Sequence, residues 1–247
     1  MSDAQQPVLE QQERIPFWGY NELLLFIGLA PLCMLLGYAL VKLPLYLLKV
    51  HPAVEVEEAL PEQCLGYLFV FGALALIIRQ GYDRPFWPSV GWTRMRLPPS
   101  LIACAGMLTA LLVVVASNLI RLPDTANPMT ELMSTRTAVL LMAVFGTTVA
   151  PVCEELAFRG FLQPLLVRSF GAAPGVLLAA IPFGLLHFQE YGNSWRHVLI
   201  ISGAGAAFGA MRQITGSTKA AALMHASYNA FFFLAMIADS KDMPHTW

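Results

Sequence analysis

Two carboxylates and a guanidinium interrupt an apolar stretch of the chain at residues 149–159. Glu154 and Glu155 are adjacent, and Arg159 follows Glu155 by four positions. On a helix Glu155 and Arg159 share a face and can form an ion pair, whereas Glu154 points about 100° away. Each charge at the centre of a membrane helix costs about 3 kcal/mol, so three together indicate a polar cavity with partners. The alternative interpretation is a solvated helix end.

Polar side chains recur on two later apolar segments. His187 lies four residues after Phe183, and Asn229 lies four residues after His225. A single membrane histidine is commonly an interhelical hydrogen-bond partner. Two histidines and an asparagine, together with the glutamate pair on a third segment, instead indicate a site.

Helix geometry predicts which of these residues can meet. If the helix that carries Glu154 continues to about Arg168, Glu154 and His187 both lie about 20 Å from the turn between their helices. They can then meet at one depth, whereas a helix that ends near Gly160 would separate them. His225 lies only about 14 Å beyond its turn, so its match in depth is poorer.

The residue types suit the hydrolysis of a carbonyl compound. A carboxylate in a low-dielectric cavity is a competent base near neutral pH. Histidine and asparagine can donate hydrogen bonds to a developing oxyanion, at about 3 kcal/mol of barrier per donor. The sequence contains no GxSG serine motif, no GxGD aspartyl motif and no HExxH zinc motif, so these hydrolytic chemistries lack their residues.

The composition indicates that membrane helices position these residues. Apolar residues make up 57% of the 247 and charged residues only 13%, against about 25% in soluble domains. A membrane helix needs about 20 mostly apolar residues. The sequence therefore predicts an all-α, polytopic transmembrane helical bundle with about seven spans, at residues 21–48, 61–79, 99–120, 137–168, 174–189, 197–212 and 218–238.

Charge and cysteine content exclude other classes of protein. The net charge of −1 provides no basic excess to neutralise phosphates, so no nucleic acid partner is expected. The four cysteines show no paired spacing, which argues against a cysteine-based metal site. With no repeat and no long linker, residues 1–247 are interpreted as a single integral membrane domain.

The distribution of basic residues predicts the orientation of the chain. The loop at 80–98 holds or adjoins Arg79, Arg84, Arg94 and Arg96, the densest basic cluster in the sequence. Because cytoplasmic loops carry an excess of Lys and Arg, this loop and the N-terminus are predicted to be cytoplasmic. The first 19 residues lack the apolar core of a cleaved signal peptide.

The three motifs, taken in order, resemble the hallmarks of the CPBP intramembrane proteases (CAAX proteases and bacteriocin processing), which include the type II CAAX prenyl endopeptidases. They read Glu154-Glu155-Leu-Ala-Phe-Arg159, Phe183-Gly-Leu-Leu-His187 and His225-Ala-Ser-Tyr-Asn229. The resemblance covers residues 137–238, which are thus the predicted protease core. The first three spans carry no motif.

The resemblance implies an intramembrane endopeptidase of the glutamic type. Glu154 with His187 would activate a water molecule, and His225 with Asn229 would stabilise the oxyanion. Glu155, Arg159 and Phe183 would support them. The implied substrate is a membrane-associated or lipidated peptide or protein in the bilayer, here in a bacterial inner membrane, and no cofactor is expected.

Three alternatives remain at this point. Glu154, His187 and His225 could instead supply the three protein ligands of a catalytic zinc. A proton-coupled transporter also uses Glu, His and Arg inside the membrane, although no inverted repeat is evident. The third alternative is a non-catalytic membrane scaffold.

Overall fold

The structure, a computed structural model, describes residues 16–122, 132–238 and 244. Ten α-helices and one π-helical segment account for most of the described residues, and these show no strand. The helices are α1 (Tyr20–Leu48), α2 (Val56–Tyr82), α3 (Phe86–Ser89), α4 (Pro99–Leu119), α5 (Arg136–Thr147), α6 (Val149–Glu155), α7 (Gln163–Phe170), α8 (Ala172–Leu186), α9 (Trp195–Thr215) and α10 (Thr218–Ala238), with the π-helical segment Leu156–Leu162 between α6 and α7.

The predicted all-α polytopic bundle is confirmed. Within the described residues, six helical stretches are long and apolar enough to cross a membrane, and α8 is a shorter apolar helix. With 15 residues, α8 is about 22 Å long and shorter than the hydrocarbon core. The predicted fifth span, 174–189, ends earlier in the structure because the backbone leaves the helix at His187 (φ −88°, ψ 2°).

The fourth predicted span is continuous from residue 136 to residue 170, but it is not one regular helix. Pro151 has no N–H for the carbonyl four residues earlier, and α5 ends at that residue, Thr147. The chain resumes as α6, widens into the π-helical segment directly after Glu155, and continues as α7. π-Helical turns are frequent at functional sites. The helix thus reaches Arg168, as the predicted meeting of Glu154 and His187 requires.

Helix α10 lies at the centre of the contacts that build the site. It packs against α4, α5, α6, α9 and the π-helical segment, while α8 packs between α7 and α9. On the other side α1 packs along α2, where a Cβ on Gly37 would lie 2.5 Å from the backbone nitrogen of Gly66. Polar residues on α6, α8 and α10 are therefore brought into the interior of one bundle.

The loop between α2 and α4 is anchored to the start of α10. The Thr218 hydroxyl donates to the Val90 carbonyl at 2.6 Å, and the Ser217 hydroxyl donates to the Thr93 carbonyl at 2.9 Å. This loop, the end of α7 and the end of α9 lie together at what we call the basic end of the bundle. The turn at 187–194, where α8 ends and α9 begins, lies at the opposite end.

Candidate active site

The ion pair expected from the spacing of Glu155 and Arg159 is formed and buried. Arg159 Nη1 lies 2.6 Å from Glu155 Oε1, and their side chains are 1% and 0% exposed. The other terminal nitrogen, Nη2, donates to the carbonyl of Gly205 on α9 at 2.6 Å. The interpretation of these charges as a solvated helix end is therefore wrong for this pair.

Aromatic rings and a glycine enclose the Arg159 guanidinium. Its central carbon lies 4.4 Å from the ring centre of Phe183 and 5.5 Å from that of Phe208. These distances allow cation–π attraction, which strengthens where water is excluded. A Cβ on Gly205 would lie 2.8 Å from Phe183 Cδ1 and 3.1 Å from Arg159 Nη2. Glycine at this position therefore lets α9 approach the guanidinium.

His225 contacts both glutamates. Its Nδ1 lies 3.0 Å from Glu155 Oε1, and its Nε2 lies 3.9 Å from Glu154 Oε2. Because a carboxylate facing Nδ1 accepts a hydrogen bond, the proton of the neutral ring is assigned to Nδ1. The ring stacks on Phe208 at 4.5 Å between ring centres, which fixes its plane. His225 thus reaches the depth of the glutamates despite its predicted poorer match.

The four predicted catalytic residues line one cavity of about 470 Å³, and Phe183 forms part of its wall. Glu154 comes from α6, His187 from the end of α8, and His225 and Asn229 from α10. Much of the remaining wall is apolar, including Val113, Met142, Phe145, Ile201, Phe232 and Met236. The cavity therefore combines a cluster of proton-transfer groups with an apolar surface.

His187 lies at the helix end with one ring nitrogen committed. Its Nδ1 is 2.8 Å from the carbonyl oxygen of Phe183, which can only accept, so Nδ1 carries the proton and donates. Its Nε2 is 3.9 Å from Glu190 Oε2. Among the described residues Glu154 and His187 form no ion pair with each other, although they share the cavity. The imidazole that contacts Glu154 is that of His225.

The side-chain amide of Asn229 donates one hydrogen bond to the neighbouring helix α5. Its Nδ2 donates to the carbonyl of Gly146 on α5 at 2.7 Å, and both residues line the cavity. The amide nitrogen has two hydrogens, so one remains for another acceptor. The carbonyl that anchors Asn229 lies just before the break between α5 and α6.

Several polar residues of the cavity were not singled out from the sequence, among them Glu190, Tyr191, His197 and Tyr228. Glu190 follows His187 by three positions, a spacing that could have revealed it. Tyr191 stacks on His197 with ring centres 5.1 Å apart. Burial, with Glu190 and Glu154 adding to it, raises the pKa of Tyr191 to about 12. The Tyr191 hydroxyl therefore keeps its proton at neutral pH.

The donors of the alternative zinc site are not arranged as a ligand set. Within the described part of the chain, no three His, Cys, Asp or Glu side chains are grouped to hold a metal ion. The Nδ1 atoms of both histidines face acceptors, at Phe183 and at Glu155, so only the Nε2 atoms could ligate a metal. Because the donors of the described residues are not grouped as a ligand set, no step is routed through a zinc.

The region that carries the three motifs matches a known protein family. The family described as type II CAAX prenyl endopeptidase Rce1-like matches residues 136–231, a range that holds all three motifs. No curated protein and no solved structure matches the chain. The matched region runs from the first residue of α5 to just beyond Asn229, and the expected relationship to CAAX proteases is confirmed. The match over residues 136–231 supports a CAAX-type intramembrane protease in general.

Proposed function

We propose that this protein is an intramembrane endopeptidase that hydrolyses peptide bonds with a water molecule activated by Glu154 and His187. One observation carries the proposal: Glu154, His187, His225 and Asn229 line a single cavity within apolar helices. Residues 137–238 form the protease core within one membrane domain, 1–247. The protein lies in a bacterial inner membrane, with the loop at 80–98 and the N-terminus on the cytoplasmic side.

Glu154 acts as the general base in this mechanism. Glu154 and His187 line the same cavity, and in the proposed mechanism a water molecule lies between them and hydrogen-bonds to both. Glu154 takes the proton of this water as its oxygen attacks the scissile carbonyl carbon, and the proton then passes to the leaving amine. The carbonyl of Phe183 fixes the His187 ring, leaving Nε2 for the water.

Asn229 and His225 stabilise the oxyanion of the tetrahedral intermediate. Asn229 donates through the amide hydrogen that Gly146 does not use. His225 can donate through Nε2 only when both ring nitrogens carry protons, because Nδ1–H already faces Glu155. The Glu155 carboxylate accepts from that Nδ1–H and pairs with Arg159 through the same oxygen. The second glutamate and the arginine thereby act through His225.

The walls of the cavity suit a substrate that is itself in the membrane. Phe145, Phe232 and Met236 contribute apolar surface beside the polar cluster. Such a surface can bury the apolar side chains or lipid group of a membrane-associated peptide, at about 25 cal/mol per Å². We infer a membrane-associated or lipidated peptide or protein as the substrate.

Reconstitution in liposomes tests the proposal. Wild-type protein should cleave a membrane-inserted or prenylated model peptide, with fragments identified by mass spectrometry, and the Glu154→Gln variant should not. A pH-sensitive dye inside the same liposomes tests the transporter alternative. If the wild-type protein moves protons and cleaves none of the peptides, the transporter alternative is right and the protease proposal is wrong.

A further inference from the structure

A second pocket, distinct from the cavity, lies between α7 and α9 at the basic end of the bundle. Its volume is about 160 Å³, and its lining residues are Gln163, Pro164, Val167, Arg168, Arg212 and Gln213. None of them lines the cavity. Arg168 follows Glu154 by 14 residues on a continuous helical stretch, which separates the two by about 20 Å.

The two arginines of this pocket contact neutral groups of the described residues. Within the described residues, neither Arg168 nor Arg212 forms an ion pair with a carboxylate. Arg168 donates to the carbonyl of Pro16, and Arg212 Nε donates to the Thr218 hydroxyl at 3.0 Å. Among the described residues these neutral acceptors leave both charges without a carboxylate, and an anion between the two guanidiniums would relieve their mutual repulsion.

The buried amide of Gln163 lies beside the arginines and is only partly hydrogen-bonded within the described residues. Gln163 is 1% exposed, and its Nε2 donates to the Gly209 carbonyl at 2.9 Å. Its Oε1 is buried and has no hydrogen-bond partner among the described residues. An unpaired buried acceptor is costly, and it calls for a donor such as a hydroxyl group. An anion with a hydroxyl group nearby would supply partners both to the arginines and to this amide oxygen.

The position of the pocket relative to the membrane surface identifies the source of that anion. Arg94 and Arg96 lie exposed on the adjoining loop, and Trp87 there is 52% exposed, as is typical of residues at the membrane–water interface. Phospholipid phosphates lie at the membrane–water interface, where a pocket at this end of the bundle would meet them. The planar fork of a guanidinium pairs with phosphate oxygens in a bidentate manner.

We propose that this pocket binds the phosphate of an anionic phospholipid headgroup, with Arg168 and Arg212 donating to the phosphate and Gln163 Oε1 accepting from a headgroup hydroxyl. A phosphoglycerol headgroup has this chemistry. The pocket receives the headgroup alone, and the acyl chains stay in the bilayer beside α7 and α9. This site acts on the stability of the protein and does not depend on its proteolytic activity.

Delipidated full-length protein in neutral detergent provides the test. Its unfolding temperature and its bound-lipid count by native mass spectrometry are measured with phosphatidylglycerol, phosphatidylcholine, and water-soluble glycerol phosphate. Phosphatidylglycerol should raise the unfolding temperature by about 5 °C at saturation, and phosphatidylcholine should not. Arg168→Gln and Arg212→Gln should each weaken binding about tenfold.

Arg94→Gln and Arg96→Gln are the matched controls, because they remove the same charge from the same end outside the pocket. These controls should bind phosphatidylglycerol like the wild type. An equal loss in controls and pocket variants would overturn the proposal in favour of diffuse surface charge, as would equal stabilisation by phosphatidylcholine. Arginine-dependent stabilisation by glycerol phosphate alone would uphold the phosphate site and make a free phosphate ester its ligand. If Arg212→Gln does not fold, the exposed Arg168 decides the outcome.

Discussion

His225 Nδ1 and Arg159 Nη1 meet at the same carboxylate oxygen, Glu155 Oε1, at 3.0 Å and 2.6 Å. One buried oxygen therefore orients the imidazole on α10 and neutralises the guanidinium of the π-helical segment. Both His225 and Arg159 therefore depend on Glu155 for this buried carboxylate contact. The connection ties the Glu154-bearing helix to the helix that carries His225 and Asn229.

Arg159→Ala should destabilise the protein by about 3–5 kcal/mol, because it leaves the Glu155 carboxylate buried without a counter-charge. The control is Arg79→Ala, which breaks another pair at the same spacing of four residues, with Asp83. That pair is exposed, with side chains 67% and 89% accessible, so the control should change stability little. Thermal unfolding in detergent measures both. Equal stabilities for the two variants would mean that the Arg159–Glu155 pair is solvated.

Gly205→Ala should lower both stability and activity, because its Cβ would lie 2.8 Å from Phe183 Cδ1. Overpacking of this kind costs about 1–3 kcal/mol. Gly203→Ala is the matched control, since a Cβ there meets nothing within 4 Å, and alanine has the higher helix propensity. The unfolding temperature and the cleavage rate should therefore fall in Gly205→Ala and should not fall in Gly203→Ala. A Gly205→Ala protein as stable and active as Gly203→Ala would show that α9 can shift without cost.

The sequence predicted those parts of the fold that follow from local rules. The lengths of the apolar segments predicted the membrane spans, and the four-residue spacing predicted the Glu155–Arg159 ion pair. The π-helical segment after Glu155 could not be predicted, since it depends on packing among helices. Part of that packing is Trp18, which is 1% exposed and whose indole nitrogen lies 3.2 Å from the Phe161 carbonyl.

Contacts between helices were the less predictable part of the site. Depth along the helices suggested that Glu154 faces His187 and that His225 matches less well. In the structure His225 contacts Glu154, while His187 is fixed by Phe183 at the end of α8. Depth alone does not determine helix rotation, and the widened π turn changes the rotation of every residue that follows it. The catalytic roles themselves stay predictions.

Glu154→Gln should lower the cleavage rate by about 10²–10⁴, as the loss of a general base does, while expression and unfolding temperature stay near those of the wild type. The substitution removes one ionisable oxygen and hardly changes the volume. Glu55→Gln, at an exposed position before α2, is the control and should cleave normally. A fully active Glu154→Gln enzyme would exclude Glu154 as the base.

Asn229→Ala should lower kcat by about 10²–10³ with little change in KM, because it removes an oxyanion donor. It should also cost about 1 kcal/mol of stability, since the Gly146 carbonyl loses its donor. Ser227→Ala is the control on the same helix: the Ser227 hydroxyl bonds the carbonyl of Leu223 at 2.7 Å, and the residue does not line the cavity. A change in KM alone would assign Asn229 to substrate binding.

Metal content distinguishes a glutamate-activated water from a metal-bound one. If Glu154 and His187 activate the water, purified enzyme of verified activity should tolerate chelators such as phenanthroline. In the zinc mechanism His225 is a ligand, so His225→Ala would remove a stoichiometric metal and chelation would abolish activity reversibly. In the proposed mechanism His225→Ala slows cleavage without changing the metal content, because its Nδ1 is held by Glu155 and its Nε2 acts on the oxyanion. Metal analysis and chelator titration are carried out on the same protein preparation, with the Glu55→Gln variant as the control. Near-stoichiometric zinc, with activity lost on its removal and restored on its return, would refute the water mechanism proposed for Glu154.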